Sequence, residues 1–139
     1  MAFSHELRVR YGECDPQGIV FNANYLAYFD VAVTELWREA VGGWQVMVDR
    51  GVDVVVGEAN LRFRRAACND DLLTVSAAFT HFGTTSATLE LQISRGDELL
   101  VEGSLRQVFV DVKTFAKTSI PPWMREALAP YAASAGAGA

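Results

Sequence analysis

The residue types and spacings best suited to chemistry fall in one stretch, Tyr11 to Tyr25, YGECDPQGIVFNANY. It places a carboxylate, Asp15, in a tight turn shortly before the apolar spacing of a long helix begins at Tyr25. The first turn of a helix presents unpaired backbone N–H groups and a partial positive charge. Such donors polarise a carbonyl and stabilise an oxyanion, and a nearby carboxylate can attack that carbonyl or activate a water. Asp-Pro-x-Gly is also an ordinary turn sequence, and spacing alone favours a purely structural Asp15.

Other chemistries find less support. There is no GxSxG, and the histidines, His5 and His81, lie near the terminus and in a strand-turn region. Cys14, Cys68, His5 and His81 show none of the short ligand spacings of a zinc site, so no metal is expected, and Cys14 reads as a small buried packer. Neither GxGxxG nor GxxxxGK[ST] occurs. Glu35 and Glu39 fall on the long helix, where a solvated or helix-supporting role is the better reading.

The elements that must position Asp15 follow from periodicity. Leu7 to Tyr11 alternates as a half-buried strand. Tyr25, Phe29, Ala32, Val33, Leu36, Trp37, Ala40 and Val41 recur at helical spacing, with Asn22 or Asn24 as N-cap and Gly42-Gly43 as the stop. Trp44 to Arg50 adds a short helical piece. Strands are predicted at Val52–Val56, then, after a break at Gly57, at Asn60–Arg65, Leu72–Phe82, Thr84–Arg95 and Leu99–Val112. Gly96-Asp97 makes the last two a hairpin. Pro121-Pro122 opens a short helix through Leu128. The order implies an antiparallel sheet with the helix packed on one face.

The 139 residues suit one domain. Twelve basic and 17 acidic residues give a net charge of -5, which argues against nucleic acid as a partner while leaving room for a locally held anionic ligand. No stretch approaches the length of a membrane helix and no signal peptide is recognisable, so the expected compartment is the cytoplasm. Two cysteines without a CxxC fit a reducing environment.

Tyr11 to Val20 followed by Phe21-Asn22-Ala23-Asn24-Tyr25 resembles the signature of the 4-hydroxybenzoyl-CoA thioesterase family, with agreement at Asp15, Gly18, Val20 and Tyr25. Phe63, Ala66-Ala67 and Asp70-Asp71-Leu72 resemble its next landmark. The resemblance implies an α+β hotdog fold, an antiparallel five- to six-stranded sheet wrapped around one long central helix. The domain would span residues 2–131, with a disordered tail at 132–139. It implies acyl-CoA thioester hydrolysis, with Asp15 as nucleophile or general base and the backbone N–H of Asn22 polarising the carbonyl. Gly18 would allow close chain approach, Val20 would belong to the substrate-binding site, and Tyr25 would line the acyl pocket or pack the helix N-terminus. Arg62, Arg64 and Arg65 are candidates for the CoA phosphates, as is the turn carrying Thr84 and Thr85. On a solvated strand face the arginines would need no such role. No cofactor is implied beyond the coenzyme A of the substrate. The implied assembly is a homo-oligomer, a dimer of dimers. Two other readings remain: a hotdog dehydratase, which would need a His that the segment lacks, and a non-catalytic module binding acyl-CoA or acyl carrier.

Overall fold

The computed structural model describes residues 3–134. Strand β1 (Phe3–Arg8) leads through a short 3₁₀ turn (Tyr11–Glu13) to helices α1 (Ala23–Val41) and α2 (Trp44–Asp49). Strands β2 (Val52–Phe63), β3 (Leu72–Phe82), β4 (Ser86–Arg95) and β5 (Glu98–Asp111) follow, then helix α3 (Pro122–Leu128). The five strands form one antiparallel sheet in the order β1-β3-β4-β5-β2.

Helix α1 forms because its apolar residues fall on one stripe: Tyr25, Tyr28, Phe29, Ala32, Val33, Leu36 and Trp37 are all buried. It ends where Gly42 takes the left-handed conformation and donates its N–H to the carbonyls of Arg38 and Trp37. Its 19 residues span roughly 28 Å. The stripe shares one buried cluster with the alternating inward residues of the sheet, among them Leu73, Val75, Phe79, Leu89, Leu91, Ile93, Leu105 and Phe109. The sheet wraps the helix, as the family resemblance implies. No helix of the described residues is long and apolar enough to cross a membrane.

Several expectations are corrected. The first strand runs over Phe3–Arg8 rather than Leu7–Tyr11: pairing with β3 begins at Phe3↔Ala77, and Tyr11 enters the 3₁₀ turn. Gly57 does not break the second strand. It sits at a bulge between Val56 and Glu58, and β5 continues pairing on both sides. Asn22 occupies the N-cap position, but its side chain makes no capping bond because its backbone is already helical. The strand expected to run through Arg65 ends at Phe63, so Arg64 and Arg65 lie beyond β2 while Arg62 is within it. Of the tail, Ala132 forms a parallel bridge with Phe79 and Ala133 donates its N–H to the Phe79 carbonyl at 2.8 Å. The rest of the expected disordered tail, from residue 135, lies outside the described residues.

Candidate active site

Asp15 stands at the base of a small hairpin. Cys14 bridges to Val20, the Asp15 N–H donates to the Ile19 carbonyl at 2.9 Å, and the Gly18 N–H donates to the Asp15 carbonyl at 2.9 Å. The Gln17 N–H donates to Asp15 Oδ1 at 2.8 Å, an Asx turn that fixes the carboxylate. Its Oδ2 has no hydrogen-bond partner among the described residues. Gly18 takes a φ of +82°, which favours glycine, and within this chain an added Cβ would meet nothing within 4 Å.

Two braces hold this hairpin. On one side Ile19 bridges to Cys68, and the Val20 N–H donates to the Ala67 carbonyl at 2.9 Å. Ala67 in turn donates its N–H to the buried Tyr25 hydroxyl at 3.0 Å. Asp71 accepts from the Cys68 N–H at 2.8 Å and from Arg95 at 2.6 Å. Partial burial pushes the Asp71 carboxyl up, yet the Cys68 N–H and the Arg95 guanidinium together hold it below the ordinary aspartate value.

On the other side Glu13 ties the hairpin to α1. Its carboxylate Oε1 accepts from the Arg10 N–H at 2.8 Å and from the Tyr28 hydroxyl at 2.9 Å. Its carbonyl accepts from the Phe21 N–H at 3.0 Å and from Asn24 Nδ2 at 2.8 Å. Burial, followed by the hydrogen bond to Glu13, raises the Tyr28 phenol well above its ordinary pKa, so Tyr28 stays a donor. One residue thereby fixes where the helix starts relative to Asp15. Glu13→Ala is expected to lower turnover by about tenfold, since small misplacements of groups at a site are costly. Glu13→Gln still offers a side-chain acceptor and should retain most activity in the same steady-state assay. Equal losses in both variants would contradict the positioning role.

The chemical result is a carboxylate with one unengaged oxygen on a hairpin that Glu13 ties to the first turns of α1. Among the described residues, the N–H groups of Asn22 and Ala23 have no acceptor, whereas those of Asn24 and Tyr25 bond back to Phe21 and Asn22. The neighbouring surface is apolar: Phe21 and Leu26 are exposed, and Phe63, 55% exposed, lies 5.6 Å from Tyr25 between ring centroids. Burial, then the neighbouring thiol and carboxylates, raises the Cys14 pKa, which disfavours a thiolate nucleophile. Among the described residues no three His, Cys, Asp or Glu side chains are grouped to hold a metal ion.

Of the sequence-predicted residues, Asp15, Gly18 and Val20 share the hairpin, Ala67 ties it to Tyr25, and Asn22 directly precedes α1. Tyr25 packs the helix N-terminus, with its hydroxyl engaged by Ala67. Arg64 and Arg65 are committed to ion pairs, with Glu102 at 2.7 Å and Glu98 at 3.4 Å. Thr84 and Thr85 lie in the β3–β4 turn, the length of β3 away, roughly 36 Å for 11 residues, and are not brought to Asp15 within one chain. Sequence reasoning missed Tyr28 and the clamp at Glu13. The available signal for Tyr28 was its place three residues after Tyr25 on the apolar stripe.

Residues 9–128 match the family described as Thioesterase-like superfamily. The chain belongs to that superfamily. Thioester hydrolysis is therefore the class of reaction to which this thioesterase-like enzyme is assigned. It is 32% identical over 101 residues to 4-hydroxybenzoyl-CoA thioesterase from Pseudomonas sp. (strain CBS-3), covering 68% of this chain and 72% of that one. It is 28% identical over 120 residues to the acyl-CoA thioester hydrolase YbgC of Escherichia coli O6:H1, covering 86% of this chain and 90% of that one. A solved thioesterase superfamily structure from Jannaschia sp. CCS1 superposes with a TM-score of 0.89 at 23% identity, covering 95% and 94% of the two chains. That likeness bears out the hotdog fold.

Proposed function

We propose that this thioesterase-like enzyme hydrolyses an acyl-CoA thioester to the free acid and CoA, with Asp15 as the catalytic carboxylate. One observation carries the reading: an Asp15 carboxylate oxygen without a partner is held, through Glu13, in one unit with the unpaired N–H groups that open α1. The thioester carbonyl oxygen accepts from the helix-start N–H at Asn22. Asp15 then either attacks the carbonyl carbon or takes a proton from a water that does so. In both courses the carbonyl electrons move onto the oxygen, the helix start stabilises that charge, and collapse breaks the C–S bond to release the thiolate. In the first course a water must afterwards hydrolyse the acyl anhydride on Asp15. The apolar surface at Phe21, Leu26 and Phe63 would face the acyl group, whereas Val20, buried in the core, would lie beneath it rather than bind substrate directly. The names of the Pseudomonas and E. coli relatives support acyl-CoA as the substrate class.

Free-thiol release from aromatic, short-chain and long-chain acyl-CoAs tests the reading. Turnover of one class is the expected result. Binding of CoA esters without hydrolysis of any would make the protein a binding module.

The site is expected to be completed by a second copy. Among the described residues strand β2 pairs only with β5, so the edge of a 12-residue strand is open, and Val56 and Phe63 are exposed along it. Light scattering should therefore give twice or four times the 15.2 kDa chain mass. A monomer mass would contradict this assembly.

A further inference from the structure

We infer that Arg95 is a positioning residue for the proposed hydrolysis: it fastens the loop of residues 66–71 to the sheet, and that loop holds the Asp15 hairpin. The kinetic consequence rests on the acyl-CoA reading, the structural one on geometry alone.

Arg95 ends β4 and lies opposite Glu98, the first residue of β5. Its Nη2 and Nε donate to Glu98 Oε1 at 2.7 and 3.2 Å, which fixes the guanidinium at the β4–β5 turn. Nη1 reaches off the sheet and donates to Asp71 Oδ2 at 2.6 Å and to the Ala66 carbonyl at 3.3 Å. Both ends of the loop are thereby fastened to one side chain. Asp71 Oδ2 also accepts the Cys68 N–H at 2.8 Å, so the same oxygen sets the middle of the loop. Among the described residues no other arginine engages two carboxylates and a carbonyl.

From this loop the path to Asp15 is short. Ile19 bridges to Cys68, the Val20 N–H donates to the Ala67 carbonyl at 2.9 Å, and the Ile19 carbonyl accepts the Asp15 N–H at 2.9 Å. Magnitudes separate this role from general stabilisation. The Arg95 side chain is 33% exposed, and ion pairs open to solvent add little to the stability of a whole domain. A small displacement of a reacting group, by contrast, is costly in rate. Loss of the guanidinium should therefore cost turnover more than it costs stability.

Hydrogen exchange followed by mass spectrometry on the full chain reads the hairpin, through the bonded N–H groups of Asp15, Gly18 and Val20. Arg95→Ala should speed their exchange by at least about tenfold while the Leu36–Trp37 region of α1 stays as protected as in wild type. In steady-state hydrolysis of the preferred acyl-CoA, the same variant should lower kcat about tenfold, with KM within about twofold and Tm within about 5 °C of wild type. Asp71→Asn keeps an acceptor for Arg95 and for the Cys68 N–H, and should retain most of kcat and of the protection. Arg38→Ala, which removes the ion pair with Glu35 on α1, should change neither. Unchanged hairpin exchange in Arg95→Ala overturns the positioning role, as does kcat within about twofold of wild type. A raised KM with kcat intact would make Arg95 a substrate contact instead, and lost protection throughout α1 would make it a general stabiliser. If the wild type hydrolyses no thioester while Arg95→Ala loosens the hairpin as expected, the hydrolase reading fails and the hold of Arg95 on the hairpin stands.

Discussion

Asp15→Asn is expected to lower kcat for the preferred thioester by at least about a hundredfold while the protein remains folded. The substitution keeps the size of the side chain and its ability to accept the Gln17 N–H, so the Asx turn survives. What disappears is the negative charge, and with it both a competent nucleophile and a base able to take a proton from water. The helix-start N–H groups remain, so binding of the ester should persist and KM should change little. A split of that kind separates a reacting carboxylate from a turn residue: were Asp15 merely structural, Asp15→Asn, which keeps the turn, would leave kcat nearly unchanged. Steady-state thiol release, with circular dichroism on the same samples, reads both.

The second large effect is on stability. Phe29→Ala should cost about 3–5 kcal/mol, because Phe29 is fully buried in the cluster where α1 meets the sheet and its removal leaves a cavity. For a domain of this size, that corresponds to a fall in Tm of about 10 °C or more. The consequence reaches the site, since Tyr25 and Tyr28, which brace the Asp15 hairpin, occupy the same stripe of α1. Denaturant or thermal unfolding measures it, and a loss under about 1 kcal/mol would contradict the assigned packing.

The helix and the later strands were legible because a single buried face imposes a period. Tyr25 through Trp37 keeps the helical interval, Leu72–Phe82 is a strand over the expected residues, and Gly96-Asp97 turns between β4 and β5. The errors have physical causes. Phe3, His5 and Leu7 face inward in β1, but His5 obscures the alternation, so the strand was placed too late. Gly57 resembles a breaker, whereas a bulge absorbs it once β5 supplies a continuous partner. The engagement of Arg64 and Arg65 depends on the β2–β5 register and the β4–β5 turn, which spacing along one strand does not contain. At the site, Asp15, Gly18 and the helix start could be read from a local motif. The Glu13–Tyr28 bond could not, because it joins side chains 15 residues apart, across the hairpin and the first six residues of α1.

The most direct measurement incubates acyl-CoA with Asp15→Asn and with wild type at equal concentration, and recovers the bound ester by mass spectrometry. The account predicts free acid and CoA from the wild type, and intact acyl-CoA bound to Asp15→Asn over many wild-type turnover times. Hydrolysis by Asp15→Asn at the wild-type rate would contradict it, and the catalytic group would then lie elsewhere in the chain.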